Sequence, residues 1–253
     1  MPEPIQHVRP FVYNTADGKA LHFTIADTQS HMLVDRPDAL SLEYTRRMMG
    51  FLLFNKQPLT IGMVGLGGGS LAKFCHRYLP TSRILVAEIN PHVIALRDEF
   101  SVPPDGQRFT VRCSDGAQWV RDLDTPLNVL LVDGFDYEGQ PEALCSQVFY
   151  DDCFAALAPD GLLVSNLYRD HPQFGAHLTR LERSFDNEVL QVGGGDEANC
   201  IAIACKGQAL RRRQALLLRK PAHIAATAWD ALLPALSHVA TALTQYQTAV
   251  PQE

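Results

Sequence analysis

Four carboxylates stand where an α/β chain presents its chemistry: Glu88, Asp115, Asp133 and Asp136. Each follows a short apolar run, and all lie downstream of the glycine-rich stretch IGMVGLGGGS at 61–70. Glycines at 65, 67, 68 and 69 permit a tight turn and close backbone approach to a ligand, and N–H groups at a helix start can hold oxygens. The spacing is G-x-G-x-x-S, so the third glycine of a dinucleotide fingerprint is absent. Glu88 lies 23 residues after Gly65, where a carboxylate accepts both hydroxyls of a ribose. Asp115, with Gly116 after it, is placed to take an adenine amino group. Asp133 and Asp136 close the fourth strand. Any one of these acids caps the next helix equally well, but four in register after a glycine turn point to a nucleoside. A cluster of carboxylates repels a diphosphate and attracts a cation, which disfavours a nicotinamide dinucleotide and favours a sulfonium nucleoside.

The elements that must position these acids alternate from residue 60 onward. TIGMVG, RILVAEI, FTVRC, NVLLVD and GLLVSNL read as strands, separated by helical stretches that begin at Ser70, Pro91, Gly116, Ser146 and Phe174. That pattern predicts a doubly wound, mostly parallel sheet, with EVLQVGG and NCIAIACK closing it as an antiparallel pair to make seven strands. Ahead of it, FVYN, ALHFTIA and HMLV around Asp17-Gly18 predict a small N-terminal β-hairpin region, and residues 38–54 a linking helix capped by Asp38. The tail after 206 is Arg-rich, then helical over AATAWDALLPALSHVATAL, with a break expected at Pro234. The expected organisation is 1–57, 58–206 and 207–253.

Composition narrows the function classes. The 253 residues carry a formal net charge of −6, which argues against a general nucleic-acid binder. No apolar stretch is long enough to span a membrane, and the first residues lack a signal-peptide pattern, so a cytoplasmic protein is expected. The six cysteines are dispersed with no CxxC pair, which reads as reduced core thiols without a metal site.

The segments VGLGGGS, VAEINPHVIALRDEF, SDGAQWV and LLVDGFDYEGQPEALCSQVFYDDCFAAL, followed by PDGLLVSNL, resemble the spermidine synthase (polyamine aminopropyltransferase) family over about residues 20–206. The resemblance implies a Rossmann-like fold of the S-adenosylmethionine methyltransferase type. It implies a donor that is decarboxylated S-adenosylmethionine or S-adenosylmethionine, a small-molecule amine acceptor, no metal, and a homodimer or homotetramer. Carried over position by position, Gln29, Gly65, Gly67, Gly68, Glu88, Asp115 and Gly116 become donor contacts. Asp133 becomes the base and Asp136 an amine ligand; Tyr44, as a shifted substitute, and Tyr137, as an aromatic near the site, are weaker acceptor contacts. Three departures stand out. Gly68 replaces the family's aspartate. Leu42-Glu43-Tyr44 replaces its Tyr-His/Gln-Glu triplet, and a one-residue shift on a helix turns a side chain by about 100°. DGFDYEGQP places Gly134 and Tyr137 where the family has Ser and Pro. The acids of the nucleoside half are kept while the acceptor half is altered. An aminopropyltransferase is therefore the leading expectation, an S-adenosylmethionine-dependent methyltransferase the first alternative, and a non-catalytic nucleoside-binding protein the second.

Overall fold

The computed structural model describes residues 7–24, 28–135, 139–193, 198–212 and 218–249. Two sheets form. The first is a three-stranded antiparallel sheet of β1 (Phe11–Asn14), β2 (Gly18–His22) and β3 (Thr28–Leu33), in that order. The second has seven strands: β4 (Thr60–Val64), β5 (Arg83–Glu88), β6 (Phe109–Cys113), β7 (Leu127–Val132), β8 (Leu157–Tyr168), β9 (Val189–Val192) and β10 (Asn199–Cys205). Their order is β6-β5-β4-β7-β8-β10-β9. All neighbours up to β8 are parallel, and β10 runs antiparallel to both β8 and β9.

The central strands are apolar on both faces because helices cover both. Val129 and Leu131 of β7 enter one core, shared with α1 (Glu43–Met48), α2 (Ser70–Tyr78) and α7 (Ala226–Ala249). Leu130 and Val132 enter the other, against α4 (Gly116–Arg121), α5 (Gln147–Ala156) and α6 (Phe174–Ser184). This is the doubly wound, Rossmann-like sheet that the alternation of strands and helices predicts.

Three elements differ from expectation. The helix predicted over 38–54 is a six-residue α1 followed by a 3₁₀ turn at Met49–Leu53, and its N-cap is Leu42 rather than Asp38. The helix expected after Pro91 is short: α3 (Pro91–Ile94) is capped by Asn90, whose Oδ1 accepts from the His92 N–H at 2.9 Å. The chain then rolls through turns that bury Phe100 and Val102. Pro234 does not break the tail, because α7 runs through it for 24 residues. Its Trp229, Leu232, Leu236, Val239 and Leu243 are buried in the core, and that continuous packed stripe outweighs the single hydrogen bond a proline removes.

Candidate active site

The glycine turn between β4 and α2 is built around left-handed backbone. Gly65, Gly67 and Gly69 have φ of 92°, 52° and 71°. At position 65 there is also no space, since a Cβ would stand 2.3 Å from the Asp133 carbonyl oxygen. The strand ends are stitched across the sheet here: Asp133 N–H donates to the Val64 carbonyl, Gly65 N–H to Ala87 and Ser114 N–H to Glu88. Side chains at the carboxyl ends of β4, β5 and β7, and those just after β6, therefore open on one side, into a cavity of about 740 Å³.

Glu88 ends β5, with 8% of its surface exposed. Its Oε2 accepts from the Leu66 N–H at 2.8 Å and its Oε1 from the Asn90 N–H at 2.9 Å. Burial pushes its carboxyl pKa up, and these backbone donors, with those of Gly67 and Ile89, oppose the push. One carboxylate thus ties the glycine turn to the end of the neighbouring strand while still facing the cavity. Asn90 Nδ2 donates to the Val8 carbonyl at 2.8 Å, which draws the N-terminal segment to the cavity rim.

Asp115 is exposed and serves as N-cap of α4, its Oδ1 accepting from the Gln118 N–H at 2.9 Å. Oδ2 has no hydrogen-bond partner among the described residues. The capping and ligand roles are compatible, because they use different oxygens.

Asp133, just past β7, receives the Tyr44 hydroxyl on Oδ2 at 3.2 Å and the Asn166 Nδ2 on Oδ1 at 2.9 Å. Burial raises its pKa from the ordinary carboxylate value, and the Asn166 and Tyr44 hydrogen bonds work against that. Burial, and then the carboxylate itself, hold the Tyr44 phenol well above its usual range, so Tyr44 is a neutral donor. Asn166 accepts from Asn199 Nδ2 at 2.9 Å.

Gln29, Tyr44, Gly65, Gly67, Glu88, Asp115, Gly116 and Asp133 all line this cavity. Gly68 does not: it is buried, and a Cβ there would stand 2.7 Å from Ser30 Oγ and 2.9 Å from Phe100 Cδ1. Asp136 and Tyr137 lie outside the described residues. Glu43 does not line the cavity and pairs with Arg47 at 2.7 Å, while Tyr44 of the shifted triplet reaches Asp133. Ser30 and Asn199 also face the cavity and were not singled out from sequence, and Ser70, expected only as a helix start, lines it too. Ser30 Oγ and Ser70 Oγ lie 3.3 Å apart, joining β3 to the start of α2.

No family model matches the chain. It is 35% identical over 220 residues to a polyamine aminopropyltransferase of Chromobacterium violaceum, spanning 83% of this chain and 84% of the relative. The chain belongs to the polyamine aminopropyltransferase family. A second member, from Neisseria meningitidis, is 37% identical over 188 residues, 74% of this chain and 72% of its own. The solved structure of a probable spermidine synthase from Corynebacterium glutamicum superposes with a TM-score of 0.67 at 23% identity, covering 78% of this chain and 76% of that one. Human methyltransferase-like protein 13, solved in complex with SAH, gives 0.60 at 22% identity over 84% and 95% of the two chains. Aminopropyltransferase-family members and methyltransferases thus share this fold, and the fold alone does not separate their reactions.

Proposed function

We propose that this chain transfers an aminopropyl group from decarboxylated S-adenosylmethionine to a small amine, with Asp133 as the base. The observation that carries the reading is the Asp133 carboxylate, held by Tyr44 and Asn166 on the wall of the cavity that Glu88 and Asp115 also line. Glu88 supplies acceptor oxygens for ribose hydroxyls and Asp115 Oδ2 for the adenine amino group. Gly65, Gly67 and Gly116 let the nucleoside approach the backbone closely, and Gln29 adds a donor contact from β3. In the reaction the amine nitrogen attacks the carbon beside the sulfonium. A C–N bond forms and the C–S bond breaks with its electron pair on sulfur, releasing methylthioadenosine, while the N–H proton passes to Asp133. An alkylammonium has a pKa of about 10.4, so freeing the nitrogen at pH 7 costs on the order of 4–5 kcal/mol. An ionised carboxylate beside it recovers part of that by aligning the amine and taking the proton.

The test is release of methylthioadenosine from decarboxylated donor and putrescine, with binding followed by calorimetry. Asp133→Asn is expected to lose turnover by roughly 10²–10⁴-fold while still binding methylthioadenosine; turnover at the native rate refutes the base assignment. A second reading, methyl transfer from S-adenosylmethionine, is favoured by one observation: no acid occupies position 68, and Ser30 fills the space beside it. Tighter calorimetric binding of S-adenosylmethionine than of its decarboxylated form would shift the assignment to that reaction.

A further inference from the structure

We propose that Asn199 is a positioning residue for Asp133, acting through Asn166; this rests on the reading of Asp133 as the base. Asn166 is 3% exposed, in β8, and Asn199 is the first residue of β10. The antiparallel register pairs Ile201 with Asn166, so Asn199 lies two residues along the same strand, on the same face. An ionised carboxylate is acceptor-only, so Asn166 has to turn its NH₂ toward Asp133. That leaves the Asn166 carbonyl oxygen needing a donor in a buried setting, and Asn199 Nδ2 provides it at 2.9 Å. Without Asn199, the buried Asn166 side-chain oxygen loses its donor, and the amide is held in place by the Asp133 carboxylate alone. Asn199 therefore anchors the far end of the amide whose NH₂ the base meets.

Among the described residues, few other groups bear on Asp133. Tyr44, from α1, is the titratable side chain that touches it, and the flanking strands β4 and β8 contribute the Gly65 backbone and Asn166. Glu88 and Asp115 stand elsewhere on the same cavity wall. A change at Asn199 is therefore read directly in the titration of Asp133.

The experiment uses the full chain labelled with ¹³C-aspartate. The Asp133 carboxyl resonance is identified by its disappearance in Asp133→Asn. Asn199→Leu and Asn199→Ala are each expected to raise the Asp133 pKa by about 0.5–1 relative to the native chain, and Asn166→Ala by at least as much. The acidic limb of the methylthioadenosine-release profile is expected to move up with it. Two variants guard against one failing to fold, which methylthioadenosine binding checks. An unshifted Asp133 titration in the Asn199 variants overturns the proposal even if Asp133→Asn is inactive. Undiminished turnover by Asp133→Asn instead sinks the base reading, and the proposal with it.

Discussion

Gly68→Ala is the substitution whose cost is most directly set by the packing around the glycine turn. The backbone at 68 lies outside the left-handed region, so alanine meets no torsional penalty there. The penalty is steric. The new methyl would stand 2.7 Å from Ser30 Oγ and 2.9 Å from Phe100 Cδ1, both closer than real Cβ contacts allow. Ser30 is 6% exposed and Phe100 1%, so neither side chain has solvent to swing into. Overpacking of this kind costs roughly 1–3 kcal/mol. Ser30→Ala removes the nearer contact and leaves a Cβ at 3.1 Å, so the double variant should recover part of the loss. A coupling of about 1 kcal/mol is expected from a double-mutant cycle, measured by urea unfolding of the native chain, both single variants and the double variant. A Gly68→Ala cost below about 0.5 kcal/mol, or additivity within about 0.3–0.5 kcal/mol, would refute the claim that Ser30 occupies the space of a side chain at 68. It would also remove Ser30 from the support for the methyl-transfer reading, leaving only the missing acid at 68.

Two further outcomes are expected. Lys73 is buried on α2 and donates from Nζ to the Phe100 carbonyl at 2.7 Å; burial lowers its pKa from 10.5 to about 8, against an opposing pull from Asp38. The unfolded chain therefore holds that proton more tightly, and stability should rise as pH goes from about 8 to 10.5. Lys73→Met should abolish up to roughly 3 kcal/mol of that rise, which parallel denaturant midpoint-versus-pH curves for the two proteins would contradict. Asp115→Asn keeps a good N-cap and should leave the melting temperature unchanged. It should weaken methylthioadenosine binding by about tenfold, the loss of one hydrogen bond to a charged group; unaltered calorimetric affinity would make Asp115 a cap and nothing more.

The acids were legible because parallel strands announce themselves as apolar runs, and the residue that ends such a run lies at the carboxyl edge of the sheet. Glu88, Asp115 and Asp133 meet on one cavity for that reason. Tyr44 was harder to place. A one-residue shift on a helix argues that it turns away, yet α1 starts only at Glu43, and a long phenol in its first turn spans to Asp133. Asn199 left no local signal. Its contact with Asn166 depends on the register of two antiparallel strands separated by a helix and another strand, and no periodicity encodes that pairing. The unbroken helix at Pro234 was hidden likewise, because its stability comes from the core it packs on rather than from local propensity.

The contact between Gly65 and the Asp133 carbonyl bears on how this scaffold can diversify. Glycine turn and Asp133 are joined backbone to backbone across adjacent parallel strands, whose spacing is about 4.8 Å. No rotamer intervenes, so the offset between the glycine turn and Asp133 behaves as an inelastic ruler. Lining side chains that touch neither residue, such as Phe23 or Ala143, can be exchanged without recalibrating that offset. A designer reshaping the cavity would accordingly vary those walls and leave 65 and 133 alone.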